Sequence, residues 1–192
     1  MRKNKEMEAK ESLRIIEQMF KESKRSLVRN SFFFILWAVI MIPTGVLEWF
    51  LIKEGYSHSY FIWPIAGSIG GVISFVYGMK HAKHEGVMTG SDRIMNYTWG
   101  AFGFCMIFSI FYAVKLKQPP HALILMLAGG STFISGGISK FRAFIYGGIA
   151  LQLAALTCAF IVEPEYQGLI FSVGLVAGYL IPGILLRKEE DE

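Results

Sequence analysis

The sequence predicts an all-α, polytopic membrane protein in which six transmembrane helices follow a cytoplasmic N-terminal amphipathic helix. Hydrophobic residues make up 53% of the 192 residues, while charged residues make up only 18%. The hydrophobic residues cluster in six long runs, and the basic residues lie at the ends of these runs. Runs of about 20 apolar residues can cross ~30 Å of hydrocarbon as helices. This arrangement is typical of a membrane domain and not of a soluble one.

Residues 1–29 are predicted to form a charged helix on the cytoplasmic side, before the first span. Its apolar residues Leu13, Ile16, Phe20 and Leu27 share one stripe, as in an amphipathic helix. Three interpretations of this stripe stay open: a helix lying on lipid, a helix docked on the protein's own cytoplasmic loops, and a short dimer seam.

Three basic residues precede the first span closely: Lys24, Arg25 and Arg29. Basic residues at this position attract anionic lipid headgroups by ~1 kcal/mol each. We interpret them as lipid-headgroup contacts, with simple topogenic charge as the alternative.

The transmembrane domain is predicted over residues 30–186, and residues 187–192 form a short cytoplasmic tail. Short connections on one side of the membrane make consecutive spans antiparallel neighbours. The one sizeable loop, residues 80–96, lies on the opposite side and is a candidate contact for a cytoplasmic protein partner. The predicted spans are 31–52, 60–79, 97–114, 122–139, 143–162 and 166–186.

The distribution of basic residues predicts the orientation of the protein. Lys and Arg number 16 on the side that holds both termini and 3 on the other side. Because cytoplasmic loops carry an excess of Lys and Arg, both termini are expected in the cytoplasm. The net charge of +4 therefore indicates topology and not nucleic-acid binding.

Small residues recur four positions apart along several spans. Examples are Ala128, Thr132 and Gly136 in the fourth span and the pairs Gly67–Gly71 and Gly174–Gly178. Such faces let helix backbones approach closely in lipid, so we expect tight packing within the bundle and a homo-oligomer through the remaining small-residue faces. Similar motifs in both halves leave an inverted three-plus-three repeat open.

His81, His84 and Glu85 form the one constellation with metal-ligand chemistry. On a continuing helix they would share a face at i, i+3 and i+4, a spacing that can hold a transition metal. The neighbouring Lys80 and Lys83 disfavour a cation, so we interpret the three residues as wet interfacial side chains and predict no cofactor. A weak metal site and a pH-sensitive contact are the alternatives.

Two polar residues within the apolar runs are candidate substrate ligands. Glu48 is the only acid inside a run, but it lies near the run's outer end beside Trp49. Snorkelling to headgroup depth is therefore the favoured interpretation, with a functional carboxylate as the alternative. Gln152 lies near the middle of the fifth span, where an interhelical hydrogen bond is the favoured interpretation.

No stretch of the sequence indicates a reaction. P-loop, GxSxG, CxxC, HExxH and EF-hand patterns are absent from the sequence. No apolar run contains paired ionisable residues, which ion and proton pathways usually need. We therefore expect a structural, regulatory or partner-binding membrane protein, with a small transporter or channel for an uncharged or weakly polar solute as the alternative and a membrane enzyme third.

Three stretches resemble small six-span bacterial membrane proteins. They are ESLRIIEQMFKESKRSLVRNSFFFILW at the front, FRAFIYGGI (Phe141 to Ile149) and GYLIPGILLRKEE (Gly178 to Glu190). The resemblance covers nearly the whole chain and implies a location in a bacterial cytoplasmic membrane. It implies no activity and no site residue.

Overall fold

A computed structural model describes residues 2–56, 58–82 and 90–188 of the chain. The described residues contain no strand and the fold is 91% helical, so the predicted all-α class is confirmed. The helices are α1 (Arg2–Arg29), α2 (Ser31–Lys53), α3 (Ile62–Ala82), α4 (Gly90–Leu116), α5 (His121–Ser139), α6 (Arg142–Phe160), α7 (Gln167–Leu175) and α8 (Ile181–Lys188).

Six helical segments of the described chain are long and apolar enough to cross a membrane, and they form a multi-pass bundle. The sixth is the continuous segment Pro164–Lys188, which includes α7 and α8. We call the end of the bundle where α2, α4 and α6 finish the cleft end. The opposite end, where α1 joins α2, is called the α1 end.

The α5–α6 hairpin is the most tightly packed part of the bundle. A methyl group added at Gly136 would lie 2.6 Å from the backbone nitrogen of Ile145, and one at Gly148 would lie 2.7 Å from that of Phe133. Glycine is therefore required at both positions for the backbones to meet. Lys140 closes the turn between the helices in a left-handed conformation.

Hydroxyl groups along α5 are buried without being left unpaired. Thr132 donates a hydrogen bond to the carbonyl of Ala128 at 2.7 Å, and Ser139 donates to that of Ser135 at 2.7 Å. Bonding to the preceding turn satisfies a small polar side chain in an apolar environment. The small-residue face thus packs closely without an orphaned donor at these two hydroxyls.

The sixth span is interrupted by one π-helical turn, Val176–Leu180, between α7 and α8. Pro182, two residues beyond the turn, lacks a backbone donor, which explains the wider turn before it. Gly178 within the turn packs against the side chain of Leu151, and its carbonyl would lie 3.0 Å from a methyl group at Gly147. A change in helix type therefore precedes Pro182, whereas α2 continues as α-helix through Pro43.

Helices α3 and α4 lie at the periphery of the bundle. In the 18-residue apolar stretch of each helix, only 11% of the residues are buried. The corresponding value for the segment Pro164–Lys188 is 50%. Gly67 and Gly71 of α3 have no neighbouring atom within 4 Å of an added methyl group. The GxxxG face of α3 is therefore unoccupied by the described residues of the chain itself.

Helix α1 docks on the α1 end through its C-terminal half. Leu27 is buried, and the ammonium of Lys140 lies 3.5 Å from the centre of the Phe20 ring. Leu13 and Ile16, which belong to the same predicted stripe, are exposed. The contacts of Phe20 and Leu27 agree with docking on the protein's own loops, and the N-terminal part of the stripe leaves the three interpretations open.

Candidate binding site at the cleft end

Glu48 is buried inside the bundle near the cleft end of α2. The residue is 7% exposed, and its carboxylate oxygen Oε2 lies 3.2 Å from Nε2 of His121 on α5. The structure thus shows Glu48 inside the bundle, and its depth relative to the headgroups stays a prediction. The carboxylate turns toward the imidazole across the bundle, and the chain does contain an ionisable pair within its spans.

His121 is the functional candidate that sequence reasoning missed. It is the first residue of α5 and only 2% exposed, whereas the predicted fourth span began one residue later. Its ring packs against those of Trp63 on α3 and Phe171 on α7, at centroid distances of 4.8 and 5.5 Å. The pair Pro119-Pro120 before it was the available signal, because proline commonly precedes or opens a helix.

Helix α7 sets the position of the Glu48 side chain. A methyl group added at Gly168 would lie 2.6 Å from Glu48 Oε2 and 2.7 Å from the carbonyl oxygen of Gly45. The glycines let α2 and α7 cross closely, and Ser172 ties the helices further by donating to the carbonyl of Ile42 at 2.9 Å. The carboxylate is therefore held against the backbone of α7.

Several buried polar atoms at the cleft end have no hydrogen-bond partner among the described residues. The contact of Glu48 with His121 has the distance of an ion pair but not the alignment of a hydrogen bond. Buried polar groups in native proteins are nearly all paired, so such a cluster is a functional indicator. The atoms are Glu48 Oε2, His121 Nδ1 and Nε2, Trp63 Nε1 and Gln167 Oε1.

The other half of the Gln167 amide is satisfied. Its Nε2 donates a hydrogen bond to the carbonyl of Cys158 at 3.0 Å, and the Cys158 thiol lies 3.7 Å from the carbonyl oxygen of Gln167. This reciprocal contact joins the end of α6 to the start of α7. It fixes the α6–α7 connection, which forms one wall of the site.

A surface cleft of about 450 Å³ opens beside the buried pair. Glu48 reaches it from inside the bundle, and Glu163, Pro164 and Glu165 border it from the α6–α7 connection. Tyr60, at the start of the second span, forms another part of the wall. The volume falls within the ~300–1,000 Å³ range of small-molecule sites.

Gln152, the other predicted ligand, lies away from this cleft. Its Nε2 donates a 2.9 Å hydrogen bond to the carbonyl of Met126 on α5, which is the interhelical bond expected for an amide in a span. Whether Gln152 also binds a substrate stays a prediction.

The remaining predicted site residues lie outside the described part of the structure. His84 and Glu85 fall in the undescribed segment 83–89, and the side chain of His81 is likewise not described. Lys24, Arg25 and Arg29 belong to α1, but their side chains are also outside the described residues. The metal and headgroup assignments therefore stay predictions.

A carboxylate beside an imidazole can bind a cationic group or exchange a proton with a ligand. The described residues contain no group of three His, Cys, Asp or Glu side chains placed to hold a metal ion. The chemistry available at the cleft is therefore that of an acidic, partly aromatic pocket with a buried acceptor at its base.

Comparison with known proteins adds no relative to this description. The chain matches no protein-family model, no curated protein and no solved structure. The resemblance to small six-span bacterial membrane proteins accordingly stays a prediction, and the assignment of the site depends on the geometry of the chain alone.

Proposed function

We propose that this chain is a regulatory, ligand-binding membrane protein that receives a small ligand in the cleft and does not carry it across the bilayer. The observation that supports the proposal is the buried pair formed by Glu48, which borders the cleft, and His121, which lies 3.2 Å from it. An ionisable pair inside a membrane bundle is costly to keep, so a functional role is its default explanation.

Close helix contacts beneath the pair favour binding over transport. Besides the α2–α7 crossing at Gly45 and Gly168, a methyl group added at Gly174 of α7 would lie 2.8 Å from the Ala154 side chain of α6. Packed helix surfaces of this kind leave little room for a solute path. A transporter or channel for an uncharged or weakly polar solute is the runner-up, and a membrane enzyme is third.

The proposed orientation places the cleft on the outer face of a bacterial cytoplasmic membrane, with both termini inside. The 16 to 3 asymmetry of basic residues supports the orientation, and the resemblance supports the location. In this orientation α1, the loop 80–96 and the tail would meet anionic headgroups or a cytoplasmic protein. The cleft would meet solutes outside the cell.

A second copy of the chain is the proposed partner within the bilayer. The GxxxG face of α3 at Gly67 and Gly71 has no neighbour among the described residues, and such faces commonly pack against another helix. Replacing both glycines with Ile should convert the oligomer to a monomer in a detergent sizing experiment. An unchanged mass for that variant would rule out this interface.

One-sided access to the cleft tests the proposed function. Ile52 borders the cleft and can carry a single cysteine in a variant that lacks Cys105 and Cys158. A membrane-impermeant thiol reagent should label Ile52→Cys from the outside of sealed vesicles and not from the inside. Cysteine at Ser135, buried within α5, is the matched control and should react from neither side.

Labelling of Ile52→Cys from both sides would contradict the proposal. Access from both faces is the behaviour of a transporter that alternates between two states. Labelling only from the inside would instead invert the orientation.

A further inference from the structure

We propose that the cleft binds an ammonium group, carried either by a soluble organic amine or by the ethanolamine headgroup of a lipid. This inference rests on the proposed function, because it names the ligand class of the same site. Three properties of the cleft carry it: the charge of its walls, the buried acceptor at its base, and the absence of a metal-binding geometry among the described residues.

The described walls of the cleft contain three carboxylates, Glu48, Glu163 and Glu165, and no Lys or Arg. The lining of the cleft is therefore acidic, and its field favours a cation. An acidic cleft with low-dielectric walls concentrates cations of suitable size.

Glu48 supplies a second observation that does not depend on the exposed acids. Its side chain is only 9% exposed, it borders the cleft, and its Oε2 has no hydrogen-bond partner among the described residues. A carboxylate has acceptor sites for several donors, and the off-angle contact from His121 uses at most one of them. Oε2 itself is turned to His121, so a ligand donor would meet Glu48 through the part of its side chain that borders the cleft.

The chemistry of the walls fits an ammonium better than a metal ion. Divalent metals need several ligands at short distances, and the described residues contain no such group. An ammonium supplies up to three N–H donors and also binds over aromatic faces, of which exposed Tyr60 offers one. The chain makes this contact itself nearby, because the Lys53 ammonium lies 5.1 Å from the Trp49 ring centre.

Lys53 is the intramolecular competitor to consider. Lys53 and Glu165 both border a neighbouring cleft of about 110 Å³, so Glu165 is shared between the two clefts. Glu48 and Glu163 border only the larger one of these two clefts. The inference therefore assigns the main contact to Glu48 and a weaker one to Glu165.

The test measures thermal unfolding of the purified full-length protein in two arms at constant ionic strength. In the first arm, n-butylammonium chloride is titrated in non-ionic detergent, with sodium butyrate as the probe of opposite charge. In the second arm, phosphatidylcholine nanodiscs are compared with nanodiscs that contain phosphatidylethanolamine. The variants are Glu48→Gln and Glu165→Gln, with Glu54→Gln as a matched control that is exposed and borders neither cleft.

Butylammonium should raise the unfolding temperature of the wild type, and butyrate should not. Glu48→Gln should weaken the affinity for butylammonium at least ~10-fold, because a charge-assisted contact is lost. Glu165→Gln should weaken this affinity about 3-fold. Glu54→Gln should leave it unchanged. Stabilisation confined to phosphatidylethanolamine nanodiscs, with the same order of variants, would identify the lipid headgroup as the source of the ammonium.

If neither probe stabilises the wild type, or if Glu48→Gln and Glu54→Gln respond alike, the ammonium assignment is wrong. Glu165→Gln decides the question if Glu48→Gln does not fold, because Glu165 is exposed. One-sided labelling of Ile52→Cys combined with no response to either probe would overturn the ligand class and leave the proposed function standing.

Discussion

The α5–α6 hairpin and the cleft end bury polar groups in opposite ways. Along the hairpin, Thr132 and Ser139 donate to carbonyls of their own helix, and glycines bring the two backbones together. At the cleft end, Glu48 and His121 are equally buried but lack aligned hydrogen bonds among the described residues. The first region has the properties of a stabilising seam. The second has polar groups without hydrogen bonds, which a ligand can supply.

This difference predicts different responses to substitution. In the seam, added volume should be harmful and the loss of a polar group should be mild. At the cleft end, removing one member of the pair should be harmful, because the other member stays buried without the side chain that faces it. The predictions below test this contrast from the largest expected effect to the smallest.

Replacing His121 with Leu should lower the free energy of unfolding by about 3 kcal/mol, because the Glu48 carboxylate would lose the imidazole that lies 3.2 Å from it. Unfolding in mixed micelles with increasing SDS measures the change. His58→Leu is the matched control, since His58 is exposed at the same end of the bundle and should change stability by less than about 0.5 kcal/mol. Equal effects of the two substitutions would mean that the pair contributes no special interaction.

Replacing Gly136 with Ala should lower the free energy of unfolding by about 2 kcal/mol, because the new methyl group would overlap the backbone of α6. The neighbouring Gly137 has no atom within 4 Å of an added methyl group. Gly137→Ala should therefore be neutral or stabilising by up to about 1 kcal/mol. The same unfolding assay compares the two variants, and similar losses would contradict the close packing of the seam.

Gln152→Leu should have the smallest effect, a loss of about 0.6 kcal/mol, which is typical of a single interhelical hydrogen bond in a membrane. Butylammonium binding should be unchanged in this variant, because Gln152 does not border the cleft. A stable Gln152→Leu protein that lost ligand binding or partner response would instead revive Gln152 as a substrate ligand.

The fold could be predicted from the sequence because long apolar runs and basic flanks are local signals. The small-residue faces of α5 could be predicted for the same reason, since they depend on spacing along one helix. The Glu48–His121 pair could not, because it joins two residues 73 positions apart. Because the predicted fourth span begins at residue 122, His121 is assigned to the connection before it and is not predicted as a partner for Glu48. The lipid headgroups are then the only predicted partner of Glu48.

The position of Glu48 on its helix also leaves the direction of its side chain open. A residue five positions before the end of α2 at Lys53 lies ~7.5 Å from the helix terminus, within reach of the interface. The direction of the side chain depends on which helix packs beside it, and the contact with Gly168 of α7 directs it inward. Helix neighbours in a bundle are tertiary information that periodicity along one chain segment does not contain.

The central claim is that the Glu48–His121 pair is kept for a ligand and not for stability. The most direct test is the unfolding free energy of the double variant Glu48→Leu/His121→Leu beside the two single variants. Because apolar replacement of both members removes the buried charges together, the double variant should recover at least about 2 kcal/mol of the loss caused by His121→Leu. If the losses of the two single variants simply add, the residues do not act as a buried charged pair and the claim is contradicted.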